Sequence, residues 1–446
     1  MSDTVTITES KMLSGKIQLP AFFVGLLRVI GPPGLRLLGA CVQFLSTVMI
    51  ARQLGDQNSA DFFFWAAVLT TFAPVATYGM EHLVLRAVPR LKESDSSQKL
   101  ERYLSSVRSF TLGLSALIGV LLFSYAIFRN GGEAGGFQFW QLLIPVALGA
   151  MALLLISGEA LKGLSHPVAG IFFSHFVPVT LFCGLIALNI DRLSSPFLIA
   201  IYSAAYVFAL FIIRFSPSKT MRSNQFSIPD CSQLKTTFAE GFSVFSVNML
   251  GALCYIIPLM ILDFSREASE VAYVTTSFRI SILFAILATA IHGVYAPSLS
   301  RAAEKRGNRR EIWRVYRKTT LMTLLTLIVP FGVGIAFPDF VMSVFGEAFR
   351  SGSETLRLLL IGGMISLCLG PTLQLLLMTG NTKLLARLGV VKLILVSVLS
   401  LVLIPQFGGI GMVSSMAVVM ILEAVTGLAM VARQLALESP KPSTTP

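Results

Sequence analysis

The stretch from Val271 to Ser300 constrains the fold more than any other part of the chain. Its thirty residues exceed the roughly 20 that cross a bilayer as a helix, and Arg279 is the only charged residue among them. An arginine at the centre of a bilayer costs about 2.5–3.5 kcal/mol or more, so Arg279 is expected to face protein or a water-filled cavity. The run therefore predicts a membrane helix beside a polar interior.

The composition is that of a membrane protein. Only 13% of the 446 residues are charged and 54% are hydrophobic, with a mean hydropathy of +0.76, whereas soluble domains carry about 25% charged residues. The net charge of +12 would suggest nucleic acid in a soluble chain, but here the basic residues sit in short loops between apolar runs. There they determine topology.

Apolar runs predict an all-α polytopic fold of twelve membrane helices in two pseudo-symmetric six-helix lobes around a central cavity. A polar stretch rich in helix breakers separates the lobes. The predicted order is cytoplasmic tail (1–19), first lobe (20–213), cytoplasmic linker (214–238), second lobe (239–434) and cytoplasmic tail (435–446). The predicted spans are 31–51, 60–84, 108–128, 137–160, 168–189, 196–213, 239–262, 271–297, 319–338, 356–378, 384–404 and 409–432.

The charges of the connecting segments predict which side they lie on. Segments that follow even-numbered spans hold 21 Lys and Arg against 7 acidic residues, and those that follow odd-numbered spans hold 5 against 9. The positive-inside rule therefore predicts that both termini are cytoplasmic. No signal peptide is expected, since the first twenty residues lack a compact apolar region and a small-residue cleavage site.

The two halves align with each other in two places. Residues 54–69 lie over 264–279 at a constant offset, and 161–179 lie over 378–396 at a slightly larger one. Parallel six-helix repeats related by an axis along the membrane normal are a common transporter plan, with the substrate site between them. The alternative is generic similarity between apolar helices.

Enzymatic functions are disfavoured by the motifs. The sequence contains no GxxxxGK[ST] phosphate loop, no HExxH and no Cys/His spacing for a metal, and no polar segment longer than about 25 residues. The five cysteines are scattered, without a CxxC pair, and predict neither a disulfide nor a metal site. A transporter without cofactors and without ATP hydrolysis is therefore expected.

Six segments together resemble one family. They are ARQLG, AYVTTSFRI, YAPSLSRAAEKRG, VFGEAFRSGSETLRLL, LLLMTGNTK and LVLIPQFGGIGMVSSMA, in that order along the chain. In order and spacing they resemble the Wzx-type polysaccharide flippases of the multidrug/oligosaccharidyl-lipid/polysaccharide (MOP) exporter superfamily. The resemblance covers nearly the whole chain and is strongest from 270 to 420.

The resemblance implies a two-lobed transporter that works by alternating access. Its cargo would be an oligosaccharide on undecaprenyl pyrophosphate, moved from the inner to the outer leaflet of the bacterial cytoplasmic membrane. Lipid II flippases have two further C-terminal helices, and this sequence has no apolar runs that correspond to them before its polar tail. A surface-polysaccharide unit is therefore favoured over peptidoglycan precursor as the cargo. Expected partners are membrane lipids and the polysaccharide polymerase and chain-length machinery, and nucleic acid is not expected.

The cargo's pyrophosphate requires fixed positive charge. Arg279 is the first candidate, because the planar fork of arginine matches pairs of oxygen atoms. The alternative is that Arg279 neutralises an intramembrane carboxylate, Glu423 or Asp263. Arg36 is the second candidate, near the cytoplasmic gate, unless it snorkels to the interface.

Two further basic residues are candidates for the cavity wall. His175 and Lys392 stand opposite each other in the second alignment, each in the middle of its span. They would line the cavity from the two lobes, although a lone histidine in a helix is more often a core residue. Sugar contacts would fall to Asn248 and to tyrosines, namely Tyr202, Tyr206, Tyr255 and Tyr273.

The acidic candidates for ion coupling or as counter-ions are Glu423, Glu81, Glu159 and Asp263. Glu423 is the only charge between Leu393 and Ala432, which suits a proton carrier or a counter-ion. Instead of coupling to an ion, Glu81 and Glu159 could pair with Arg86 and Lys162 at the membrane interface. Asp263, at a helix mouth, is expected to be solvated.

Two other function classes stay open at the level of sequence. A drug or metabolite antiporter of the same superfamily would need an acidic cavity for cations. Here the charged residues within the membrane spans include three basic ones, Arg279, Arg36 and Lys392. A membrane-embedded polysaccharide polymerase would need a large external loop with catalytic groups.

Overall fold

The computed structural model describes residues 21–93, 97–130, 137–216, 231–265, 267–304, 309–369 and 382–437. Within these ranges it is helical and contains no strand, which confirms the all-α prediction. The α-helices are α1 (Ala21–Ala76), α2 (Met80–Glu93), α3 (Ser97–Asn130), α4 (Leu143–Gly163), α5 (Pro167–Ile171), α6 (Val177–Leu188), α7 (Ser195–Ile212), α8 (Cys231–Ser265), α9 (Ala268–Glu304), α10 (Arg309–Ala336), α11 (Pro338–Ser343), α12 (Ser353–Leu369) and α13 (Thr382–Leu437).

The described helices account for twelve membrane crossings. Ten segments are long and apolar enough to span a bilayer, and two of them, Gly34–Ala76 and Arg387–Ala429, have 43 residues each. A helix of that length measures about 65 Å, twice the apolar thickness of a membrane. Each contains a glycine with positive φ, Gly55 at 73° and Gly408 at 59°, where a right-handed helix must break. Each long segment is therefore two crossings.

The break in α13 is stabilised by a hydrogen bond from its backbone to a residue of another helix. Gly408 has ψ −131° besides its positive φ, a backbone conformation open essentially to glycine alone. The Glu270 carboxylate, in the first turn of α9, accepts a hydrogen bond from the Gly409 N–H at 2.8 Å. One unsatisfied donor at the start of the returning helix thus has a partner, and a Cβ at Gly408 would collide with that carboxylate.

The chain divides into two compact units by its internal contacts. The first comprises Met1–Ser46 and Val68–Phe245, and the second comprises Thr47–Ala67 and Ser246–Pro446. The turn at Gly55 and the helix ends that flank it therefore group with the second unit, whereas sequence order assigns them to the first lobe. The predicted linker falls largely on residues outside the described ranges, and the lobe boundaries stay a prediction.

The first unit contains an amphipathic helix that hydropathy did not indicate. Along α2, Met80, Val84 and Val88 recur at helical spacing and are buried in one core cluster with residues of α3, α4 and α7. His82 and Arg86 on the same helix are exposed. The short helix therefore lies against α4 instead of forming part of a span.

The prediction that the second span continues to residue 84 is wrong. The helix α1 ends at Ala76, and the chain turns through Tyr78 and Gly79, which have φ of 55° and 74°. The Tyr78 ring stacks on Phe245 at 4.5 Å, and a Cβ at Gly79 would lie 2.7 Å from the Cβ of Val244. A close approach of α8 fixes this turn, and hydropathy does not register such an approach.

We predict that Gly408→Ala destabilises the protein, because alanine pays about 1–3 kcal/mol of backbone strain in this conformation and its Cβ meets Glu270. Gly332→Ala in α10 is the control, since its Cβ would meet nothing within 4 Å and alanine favours a helix. Melting temperatures in detergent should fall for the first variant and stay level or rise for the second. Equal melting temperatures for the two variants would refute the break.

Candidate functional site

Arg279 lies on α9 and is held in one orientation by two residues of α1. Its Nη1 donates a hydrogen bond to the Thr47 hydroxyl at 2.8 Å, and its guanidinium carbon stands 4.7 Å from the centre of the Phe63 ring. A cation over an aromatic face is attracted by the ring quadrupole, by about 0.5–2 kcal/mol. The arginine predicted to avoid lipid is therefore half-buried against protein, as its cost in the bilayer requires.

The polar character of α9 continues on the N-terminal side of this contact. Thr275, Thr276 and Ser277, one turn before Arg279, are all buried. The Thr275 hydroxyl donates to the backbone carbonyl of Val271. This helix therefore presents hydroxyl groups and one guanidinium within an apolar span.

Two carboxylates missed as site candidates anchor the start of α9. The Tyr273 hydroxyl donates to Asp56 at 2.6 Å, and Ser269 and Ser351 are further hydrogen-bond partners of that hydroxyl. Glu270, one turn earlier, closes the break in α13 described above. No sequence pattern indicated the contact, because Asp56 and Tyr273 lie 217 residues apart.

Lys392 and Glu423 form an ion pair between the two arms of α13. The Lys392 Nζ lies 2.5 Å from Oε2 of Glu423, and the side chains are 29% and 25% exposed. Sequence reasoning offered Glu423 as a counter-ion to Arg279, but the cation that contacts it is Lys392. Both residues had been named as candidates, and their pairing had not been predicted.

The first unit groups three candidates around an irregular helical segment. His175 belongs to a π-helical turn, Phe172–Phe176, which joins α5 to α6. Arg36 and Lys162 lie close enough to His175 to interact with it electrostatically. The Arg36 side chain itself is exposed. Glu159 contacts Lys162 at 2.5 Å, the interfacial partner that the sequence offered as its alternative. Such π turns frequently occur at functional sites.

The other candidates are distributed over α2 and α8. Glu81 accepts a hydrogen bond from the Thr77 hydroxyl at 3.2 Å and lies 3.6 Å from His82. Asn248 and Asp263 are half-buried on α8, and each takes part in an interaction with other residues. Their proposed roles in sugar contact and ion coupling stay predictions.

No group of three or more His, Cys, Asp or Glu side chains suited to a metal occurs among the described residues. Several of their charged groups form ion pairs, among them Lys392 with Glu423 and Lys162 with Glu159.

Known structures share this arrangement of helices over nearly its whole length. Lipid II flippase MurJ in an inward closed conformation matches with a TM-score of 0.70 and 14% identity, covering 90% of this chain and 88% of that chain. An inward-facing multidrug resistance MATE family transporter of the MOP superfamily matches with a TM-score of 0.68 and 15% identity, covering 91% and 96%. The chain has the MOP transporter fold.

Two further comparisons bear on the family. A MOP superfamily transporter from Pyrococcus furiosus matches with a TM-score of 0.61 and 13% identity, covering 93% of this chain and 98% of that chain. The probable low-salt glycan biosynthesis flippase Agl15 of Haloferax volcanii is 26% identical over 383 residues, which are 84% of this chain and 76% of the relative. No family model matches the sequence. The predicted resemblance to a Wzx-type flippase with the MOP fold is confirmed, and the chain is a multi-pass membrane protein.

We predict that Lys392 and Glu423 are energetically coupled within this MOP fold. Either single substitution to alanine leaves a charge without its partner in an apolar span, so each should destabilise the protein. Lys392→Ala/Glu423→Ala should recover part of that loss, with a coupling of about 0.5–3 kcal/mol in a double-mutant cycle followed by detergent unfolding.

The matched control for this cycle is Glu347–Arg350, a contact of 3.1 Å between side chains that are mostly exposed. Solvent screens such pairs, so the same cycle should give about 0–1 kcal/mol. Additive effects at Lys392 and Glu423 would contradict the prediction.

Proposed function

We propose that the protein is a flippase that carries a lipid-linked oligosaccharide across the membrane by alternating access. The cargo is a surface-polysaccharide repeat unit on undecaprenyl pyrophosphate, which passes from the inner to the outer leaflet of the bacterial cytoplasmic membrane. Both termini are cytoplasmic in this proposal, in line with the charge of the loops. A polymerase and its chain-length partner would consume the delivered unit.

Two likenesses support a flippase over an enzyme. The fold is that of transporters, among them a lipid II flippase, and the Haloferax relative is described as a probable flippase of glycan biosynthesis. Fold alone does not select a cargo, because the MOP fold also serves multidrug transporters. The choice between these cargoes therefore depends on the charge of the site.

The observation that carries the proposal is the environment of Arg279. A guanidinium held on Phe63 and Thr47 is a pre-positioned cation in the middle of a membrane helix. Such a group favours a phosphate ester, whose oxygens accept paired hydrogen bonds, and it repels the organic cations that a drug antiporter carries. The exposed guanidinium of Arg36 provides a second cation for the arriving pyrophosphate.

The three parts of the cargo make different demands on the protein. The polyprenyl tail can remain in the bilayer, since it is as apolar as lipid. The sugars need hydrogen-bond partners, for which Asn248 and the tyrosines of α7, α8 and α9 remain the candidates. Only the pyrophosphate has to be compensated by charge inside the protein, and Arg279 meets that demand.

We predict that Arg279→Gln slows flipping by at least tenfold in proteoliposomes. The assay uses a fluorescently labelled polyprenyl-pyrophosphoryl saccharide and a membrane-impermeant quencher that reports the outer leaflet. Arg279→Lys should give an intermediate rate, because an ammonium keeps the charge and loses the planar fork. The control Arg350→Gln removes an exposed arginine whose partner is Glu347 and should flip like the wild type.

The same vesicles separate the alternatives. If Arg279→Gln flips at the rate of Arg350→Gln, the role of Arg279 in binding pyrophosphate is wrong. If the wild type leaves the labelled lipid in its leaflet and instead accumulates a cationic dye on an imposed ion gradient, the flippase proposal fails and an antiporter replaces it.

A further inference from the structure

The ion pair between Lys392 and Glu423 occupies equivalent heights on the two arms of α13. Lys392 lies 16 residues before the break at Gly408 and Glu423 lies 15 residues after it. At about 1.5 Å per residue both are roughly 22–24 Å from the break, so the hairpin brings them side by side. Both lie inside the apolar segment Arg387–Ala429. The geometry of the hairpin thus produces the contact.

A small apolar cluster supports the pair. Val396 and Val419, one turn from Lys392 and Glu423 towards the break, are buried together with Cys254 of α8. Leu393, Leu399 and Met416 pack against this cluster. The backbone of both arms is therefore fixed, while the two charged side chains keep about a quarter of their surface exposed. The charged ends of the pair are therefore not sealed inside the helix packing, which a binding role requires.

The surroundings contain few other charges among the described residues. The helices packed on α13 carry the titratable groups Cys254, Tyr255 and Asp263 on α8, Glu270, Tyr273, Arg279, His292 and Tyr295 on α9, and Glu354, Arg357 and Cys368 on α12. Of these groups, Cys254 lies in the apolar cluster beside the pair, with Val396 and Val419. Glu270 and Tyr273 lie at the far end, by the Gly408 break, with their own partners. On α13 itself Arg387 is exposed, more than one turn before Lys392.

We infer that Lys392 and Glu423 form a proton-linked exchange site for a phosphate group of the cargo. In the empty site the Lys392 ammonium is bound to the Glu423 carboxylate. When the cargo arrives, the ammonium leaves Glu423 and binds a phosphate oxygen. Glu423 then takes up one proton from water, because a carboxylate without a cation is costly in an apolar span. When the phosphate departs, the proton is released and the ion pair forms again.

This inference rests on the proposed function and adds two properties to it. It gives the pyrophosphate a lysine in addition to Arg279, and it couples the occupancy of the site to one proton. A buried pair with a merely structural role would bridge the arms of α13 in both states. The two possibilities differ in proton uptake, which can be measured without transport.

The experiment is a calorimetric titration of the purified full-length chain with farnesyl pyrophosphate. It is run at pH 7 in two buffers of different ionisation enthalpy, so that the change in heat gives the protons taken up per ligand bound. Any change in the protonation of the pyrophosphate itself is common to all variants. The difference between the wild type and Glu423→Gln therefore reports Glu423 alone.

We expect the wild type to take up close to one proton more than Glu423→Gln. Glu423→Gln should bind at least as tightly as the wild type, since its lysine is already released, and Lys392→Gln should bind at least tenfold more weakly. The control Glu354→Gln breaks a 2.5 Å contact with Arg357 in the same unit, at a mostly exposed carboxylate. It should match the wild type in affinity and in proton uptake.

The outcomes that overturn the inference are distinct from failure of the proposed function. Tight binding with equal proton uptake in the wild type and Glu423→Gln would refute the exchange and leave the flippase proposal intact. No binding of farnesyl pyrophosphate by the wild type would count against both. A parallel titration with short-chain phosphatidylglycerol tests the other source of phosphate: the same proton signature with that lipid alone would overturn the assignment to cargo.

Discussion

The fold depends on the cost of leaving a charge or a backbone donor without a partner in an apolar medium. Three points of the described structure satisfy that constraint. The backbone N–H exposed by the break at Gly408 meets the carboxylate of Glu270, and the guanidinium of Arg279 meets Thr47 and Phe63. The ammonium of Lys392 meets Glu423. Helices so fixed can carry polar groups through a membrane without unfolding.

The same constraint separates static charges from those that can change partners. The carboxylate of Glu270 is tied to the backbone at a conformation restricted to glycine, which makes it part of the scaffold. Arg279 is oriented by two neutral groups, the Thr47 hydroxyl and the Phe63 ring. Lys392, in contrast, must give up a carboxylate to bind a phosphate. In the proposed function the two cations therefore take different steps, binding at Arg279 and proton-linked exchange at Lys392.

Hydropathy and charge were sufficient to predict the membrane-spanning helices and their number, because a lipid-facing helix must be apolar along its full length. They placed the end of the second span wrongly, since the turn at Tyr78 and Gly79 is set by contact with Val244 and Phe245 of α8. They also missed α2. Its apolar residues are too few to predict a span, and its apolar face becomes recognisable only from its packing against α4. That Arg279 lies against protein could be predicted from sequence, because it stands alone in an apolar run. The partners of Lys392 and Asp56 were not found, because a tertiary contact 31 or 217 residues away leaves no local pattern.

The most direct test of the flippase account is to delete the gene in the source cell and extract its lipid-linked saccharides. The account predicts that complete repeat units accumulate on their lipid carrier without polymerisation, and that the surface polysaccharide disappears. Reintroduction of the wild-type protein should restore both. Normal levels of lipid-linked units with an intact surface glycan would contradict the account, and a rise in sensitivity to cationic drugs in that strain would assign the protein to drug export.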